Sequence, residues 1–158
     1  MIEVVTLVHG SDRFGQVLDR IGANKALIQR WWEDAESEWK ELDHPGVRLA
    51  VTFVDGVPAA WAGSRLLPSG VLKCICNYEV PRFRGHGLYA MAHQRRHEDT
   101  VKQSPYPKET YLFGTPPFRT GPITLHAWNG WRFPELAPDT HGVSDMGHEW
   151  WKMIRDWD

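Results

Sequence analysis

Val80-Pro81-Arg82-Phe83-Arg84-Gly85-His86-Gly87-Leu88 is the stretch on which the reading of this chain turns. An apolar run ends at Val80, Pro81 interrupts any ladder, and two glycines flank His86 before a helical pattern starts at Leu88. A basic, glycine-bearing turn that opens a helix builds an anion site. The first amides of a helix lack intrahelical partners, its dipole presents a positive end, and glycine lets a phosphate approach the backbone. Arg82, Arg84 and His86 add charge and donors, so the combination suits a pyrophosphate. It is neither of the common nucleotide loops, because it has no Gly-x-x-x-x-Gly-Lys and no three-glycine dinucleotide fingerprint. The plain alternative is a strand-to-helix connection that uses glycine only for its backbone angles.

Upstream of the turn, the patterning predicts a three-strand meander. Val47, Leu49, Val51 and Phe53 alternate with Arg48, Ala50 and Thr52, as in a half-buried strand. Asp55-Gly56 is a strong hairpin signal, and Val57 to Leu67 returns antiparallel with Pro58 near its start. Pro68-Ser69-Gly70 turns the chain into a third strand, Val71 to Val80. Ahead of the meander lie a short strand over residues 3–8 and two helices. Ser11 caps the first helix, whose stripe is Phe14, Val17, Leu18 and Ile21, with Gly22 as the stop. The second runs from about Lys25 to Lys40 on Ile28, Trp31, Trp32, Ala35 and Trp39, and ends at Asp43-His44-Pro45-Gly46.

Downstream, the helix from Leu88 to about Val101 shows an apolar stripe of Leu88, Met91 and Ala92. Tyr111-Leu112-Phe113 is a further strand. A helix opens near Pro122 and runs through His126 to Gly130. The last segment, Glu149 to Ile154, is a strand or a short helix, and periodicity does not decide. This order predicts an α+β fold, a mixed, mostly antiparallel twisted sheet flanked by about four helices, as one domain over residues 1–158.

Composition narrows the function classes. The chain has 158 residues with 42% hydrophobic and 24% charged, an ordinary globular mix that excludes disordered and collagen-like classes. Lys and Arg total 18 against 20 Asp and Glu, a formal net charge of -2, which argues against a long nucleic-acid footprint. No apolar run approaches the ~18 residues that span a bilayer. Met1-Ile2-Glu3-Val4 carries no basic n-region, so a cytoplasmic domain is expected, with no membrane partner. Cys74 and Cys76 read as two buried free thiols. A zinc site would have to recruit His93 and His97, and none is expected. Nine tryptophans exceed what a core of this size needs, and any left exposed would furnish a homodimer surface.

The stretch from Val80 to Leu88 resembles the acyl-CoA-binding signature of the GCN5-related N-acetyltransferases (GNAT). In that family a Pro-x-x-Arg-Gly-x-Gly segment joins the fourth strand to the next helix, and its amides hold the CoA pyrophosphate. The register Arg82-x-x-Gly85-x-Gly87 is an alternative that loses the proline spacing. The order of elements from about Val4 to Ile154 is also similar to the family's. Gly130-Trp131 looks like the Gly-Phe pair that ends its fourth helix. Two positions depart from the pattern. Tyr89 stands where a small residue is common, and would either crowd the pyrophosphate or turn aside. Arg119 stands nearest to where the family often has Asn.

The resemblance implies an N-acyltransferase that moves an acyl group, acetyl first, from acyl-CoA to a small-molecule amine by direct attack. It places Val80, Arg82, Arg84, Gly85, His86, Gly87, Leu88 and Tyr89 at the acyl-CoA, with a backbone N–H near Val80 on the thioester carbonyl. His126 falls where the family has its general-acid tyrosine; the alternative is a histidine packed on a helix face. Glu79 ends an apolar strand, where desolvation raises a carboxyl towards a useful base. It reads equally as an edge charge or an ion pair with Arg82 or Arg84. Arg95-Arg96-His97 steers CoA phosphates or forms a solvated face, the latter being the expectation. The pairs Trp31-Trp32 and Trp150-Trp151 wall the acceptor site or pack the core. Two further readings keep the fold. One takes its acyl group from an aminoacyl-tRNA or a carrier protein, drawing on Arg82, Arg84, Arg95 and Arg96. The other is a non-catalytic CoA-binding or interaction module.

Overall fold

The computed structural model describes residues 1–23, 40–66, 72–103, 111–113, 141–143 and 149–153. The chain falls into two compact units, Met1–Arg65 with Ile75–Asp99, and Leu66–Cys74 with Thr100–Asp158. The first contains β1 (Ile2–Val8), α1 (Asp12–Ala23), β2 (Val47–Val54) and β3 (Val57–Leu66). The later part of β4 (Leu72–Glu79), a 3-10 turn at Pro81–Phe83 and most of α2 (Leu88–Gln103) complete it. Its strands lie in the order β1-β2-β3-β4, with β1–β2 and β2–β3 antiparallel.

Local chemistry explains how α1 begins and which way it faces. The Ser11 hydroxyl accepts the Phe14 N–H at 3.4 Å and donates to the Val8 carbonyl at 2.8 Å, so it caps the helix and ties it to β1. Phe14, Val17 and Ile21 are buried, as their spacing predicts, and join Leu42, Val47, Leu49, Val51, Phe53, Trp61 and Ile75 in one core. Asp55 and Gly56 both take left-handed backbone angles, φ 47° and 77°, the tight turn that matches strand twist.

β2 departs from its predicted half-burial. Ala50 and Thr52 are buried along with Val47, Leu49, Val51 and Phe53. The reason is α2, which covers the second face. The Thr52 hydroxyl donates to the Leu88 carbonyl at 2.8 Å, Thr6 bonds Asp99, and Arg95 Nε donates to Thr6 at 3.0 Å. The face that α2 buries also differs from the predicted stripe. Leu88 and Ala92 are buried, but Met91 is 39% exposed, and His93, Arg96 and His97 take the inner positions. Arg96 donates to the Gly63 carbonyl at 3.1 Å, to Asn77, and to His93 Nδ1 at 3.0 Å. The expected solvated Arg95-Arg96-His97 face is therefore corrected, as is a phosphate-steering role for Arg96. Buried acceptors on the sheet hold its guanidinium.

Gly63 lets β3 and β4 come together. A Cβ there would sit 2.8 Å from the Ile75 carbonyl oxygen, on backbone that cannot swing away. Gly63→Ala is expected to cost about 1–3 kcal/mol, the usual range for overpacking. Urea unfolding followed by circular dichroism measures it, and an unchanged midpoint would contradict the close approach.

In the second unit, Leu72–Cys74 of β4 pair in parallel with β5 (Tyr111–Phe113). β5 pairs antiparallel with β7 (Glu149–Met153), which pairs antiparallel with β6 (His141–Val143). The undecided last segment is thus a strand. β6 was not anticipated, because three residues are too short to show a period. The pairing is mixed and mostly antiparallel, in an α+β fold, as predicted. Residues 40–42 are helical. The rest of the predicted second helix, the turn at residues 68–70, and the helix from Pro122 to Gly130 lie outside the described residues. So do Arg119, His126, Gly130-Trp131 and Trp31-Trp32. Among the described residues no helix is long and apolar enough to cross a membrane.

Candidate functional site

The turn after β4 is built from backbone bonds. The Val80 N–H donates to the Ala59 carbonyl at 2.8 Å, and the Val80 carbonyl accepts the Phe83 N–H at 2.9 Å. Of the backbone donors near Val80, where one is expected to meet the thioester carbonyl, the Val80 N–H itself is spent on β3. Pro81 opens the 3-10 turn, where its missing donor costs nothing, and the Arg84 N–H closes on the Pro81 carbonyl at 3.2 Å. Gly85 and Gly87 then adopt φ 85° and 72°, a region that side-chain-bearing residues avoid. The Gly87 carbonyl accepts the Met91 N–H at 3.2 Å, which makes Gly87 the cap of α2.

Both glycines face open space. Among the described residues, a Cβ at either position would meet no heavy atom within 4 Å. Their conformation is demanded by the turn, and their bareness leaves room over the first amides of α2. Arg82, Arg84, Gly85, His86 and Gly87 are all exposed. The Arg82 guanidinium lies 4.6 Å from the Phe83 ring centre, which positions it over the turn. The structure therefore gathers the basic groups and the glycines at one helix start, in the arrangement an anion needs.

Leu88 and Tyr89 settle inward. Leu88 is buried with Ala59 and Ala60, and Phe83 and Tyr89 pack on that cluster. The Tyr89 ring lies 6.1 Å from the His93 ring. Of the two outcomes foreseen for this tyrosine, the ring turns aside onto the helix's own packing.

Glu79 is half-buried at the end of β4, and its Oε1 is buried with no hydrogen-bond partner among the described residues. Burial pushes its carboxyl above the ordinary range, against the opposing charges of Arg84 and His86 and the Tyr89 N–H bond. The direction is the one its place in the sequence predicts. Burial also raises the Tyr78 phenol, again with Arg84 opposing. His93 and His97 are buried on α2, and Cys74 is a buried free thiol. Among the described residues no three metal-binding side chains gather.

Sequence reasoning did not find Thr52, which pins the start of α2, or Gly63 and Asn77, which receive Arg96. None of the three carries a local signal, since each acts on a residue distant in the chain.

No family model matches the sequence, and no curated protein matches it. Solved structures do. An acetyltransferase of the GNAT family from Staphylococcus aureus is similar at 11% identity over 100% of both chains, with a TM-score of 0.66. The PaiA N-acetyltransferase from Thermoplasma acidophilum, solved with coenzyme A, is similar at 9% identity, covering 99% of both chains with a TM-score of 0.61. The aminoglycoside acetyltransferase AAC(6')-Ib, solved with coenzyme A and kanamycin, is similar at 14% identity. It covers 98% of this chain and 95% of its own, with a TM-score of 0.62. At this low identity the likeness is one of fold, and the chain has the fold of the GNAT acetyltransferases.

Proposed function

We propose that this protein is an N-acyltransferase that carries an acyl group, acetyl first, from acyl-CoA to the amine of a small molecule. The observation that carries the reading is the open, basic Gly85-His86-Gly87 turn at the head of α2. A diphosphate laid there meets helix amides, Arg82, Arg84 and His86, and no described residue crowds either glycine. Similar folds solved with coenzyme A support the donor class, and one solved with kanamycin supports a small amine as acceptor.

The thioester supplies the electrophilic carbon, and the acceptor nitrogen must be neutral to attack it. Glu79 is the proposed base. Its desolvated carboxyl holds a proton more firmly than an exposed one, which matches it better to an ammonium. As the C–N bond forms and the C–S bond breaks, the sulfur needs a proton, and His126 is the proposed donor. His126→Phe is expected to lower turnover about a hundredfold or more while leaving donor binding unchanged. A turnover rate equal to the unaltered protein's would remove His126 from the mechanism.

Titration calorimetry with acetyl-CoA tests the donor, followed by a thiol-release assay over a panel of small amines. Absence of binding to any acyl-CoA would end this reading and point to charged tRNA or a carrier protein. That alternative drew on four arginines, of which Arg96 is buried and Arg95 is engaged with Thr6 and Asp99. Binding without turnover on any amine would favour a CoA-binding module.

A further inference from the structure

β1 ends the strand order, so one side of it pairs with β2 and the other is an edge. The ladder decides which groups face that edge. Partners in β1 and β2 run from Ile2 with Val54 to Val8 with Arg48, without a bulge. Just beyond, the Asp55 N–H donates to the Met1 carbonyl at 2.9 Å and the His9 N–H to the Val47 carbonyl at 3.2 Å. Bonded pairs alternate along an antiparallel ladder, so Glu3, Val5 and Leu7 turn their peptide groups to β2. Ile2, Val4, Thr6 and Val8 turn theirs to the open side. The Val8 carbonyl is taken by the Ser11 N–H and hydroxyl, at 3.2 and 2.8 Å. Among the described residues, the other outward N–H and carbonyl groups have no partner. Edges of this kind are ordinarily guarded by lysine, proline or a bulge, and β1 has none of these. Its one charge, Glu3, is held by Arg13 of α1 through two bonds of 2.9 and 2.7 Å. Ile2 and Val8 are 52% and 51% exposed, and they share a sheet face with Thr6, which bonds Asp99 and Arg95 of α2.

We infer that β1 pairs edge to edge with β1 of a second copy of this chain, antiparallel about a two-fold axis at Val5. Only outward-facing residues can exchange bonds, so even-numbered positions must meet even-numbered positions. The longest registers of that kind are centred on Val4, Val5 or Thr6. The one on Val4 leaves Val8 exposed, and the one on Thr6 leaves Ile2 exposed. Centring on Val5 sets Ile2 opposite Val8 of the second copy and Val4 opposite its Thr6, and symmetry repeats both. Every outward group then finds a partner except the Ile2 N–H, whose acceptor would be the carbonyl that Ser11 already holds. Glu3 falls opposite Leu7, so no like charges meet. A second copy is the occupant this edge fits, because its two exposed apolar residues stand equally far from Val5 on either side. The strand is thereby complementary to itself, as a two-fold interface requires.

Sedimentation equilibrium of the whole protein across the micromolar range tests the pairing. A strand-edge contact of this length is smaller than a standard interface, so a dissociation constant of about 1–100 μM is expected. Ile2→Lys is expected to weaken the dimer about tenfold, because two-fold symmetry applies the change twice. Adding Val8→Glu to it is expected to restore affinity to within about threefold of the unaltered protein. On one strand these two positions lie about 20 Å apart, so the recovery can come only from a second copy in this register. Val4→Pro removes an outward donor that β2 does not use, and is expected to leave a monomer. Melting curves verify that each variant is folded. Ile2→Lys and Val8→Glu change exposed positions, and they still decide the matter if Val4→Pro does not fold. A monomer at every concentration overturns the inference. So does a dimer that Ile2→Lys leaves intact, or one that Val8→Glu fails to recover.

Discussion

Gly87→Val is expected to weaken acetyl-CoA binding about a hundredfold or more while the protein stays folded. Gly87 sits at φ 72°, where a side chain costs about 1–2 kcal/mol, and more when branched at Cβ. That strain is tolerable for the fold, because the new Cβ meets no atom of the described residues within 4 Å. The Gly87 carbonyl still accepts the Met91 N–H, so α2 can start where it does now. The isopropyl group instead fills the space over the first amides of α2, which is the place proposed for the diphosphate. Losing that approach by even an ångström forfeits several charge-assisted bonds, each worth about 1.5–3 kcal/mol. Gly10→Val is the matched control. Gly10 has φ 86° and equally open surroundings, so it takes the same strain, but it lies in the connection from β1 to α1. Calorimetry on both variants, with melting curves to verify folding, separates strain from obstruction. Full affinity in Gly87→Val would place the donor elsewhere.

Glu41→Ala is expected to be the most destabilising of the substitutions considered, by about 3–5 kcal/mol. The Arg65 Nε donates to Glu41 Oε1 at 3.2 Å, and both side chains are 0% exposed. Removing the carboxylate takes a counter-charge from a fully buried guanidinium, and arginine cannot shed its proton to escape. A domain of this kind has only about 5–15 kcal/mol in hand, so the loss is a large share of the total. The pair as a whole is a weaker source of stability than that figure suggests, since burying both ions was itself costly. Glu41→Leu with Arg65→Met is therefore expected to recover most of the loss. Equilibrium unfolding of the single and double variants checks both statements. A single-variant loss under about 1 kcal/mol would mean that other groups carry the Arg65 charge.

The readings that held were those whose cause lies within a few residues. Ser11 caps α1 because the donor it serves is three residues away. Phe14, Val17 and Ile21 share a face because a helix returns every 3.6 residues. Asp55-Gly56 turns the chain because those residue types tolerate left-handed angles. The glycine turn of the candidate site is legible for the same reason. Gly85 and Gly87 are required by local backbone angles, and Arg82, Arg84 and His86 stand in the same turn.

What tertiary structure decided was the fate of polar groups. Arg96 and His97 read as a solvated face, yet Arg96 is 1% exposed, because Gly63 and Asn77 supply acceptors that no neighbour in sequence announces. Met91 ceded its predicted place to them. A hydrophobic stripe can be read from a sequence because water rejects it wherever it goes. Whether a charge is buried depends on finding partners far along the chain, and only the folded chain brings them together. Val80 shows the same divide within the site, since its amide is claimed by Ala59 across the sheet. So does Glu79: its position at a strand end was enough to predict a carboxyl raised by burial. That the charges of Arg84 and His86 act on it from the turn, against that burial, is decided only by the folded chain.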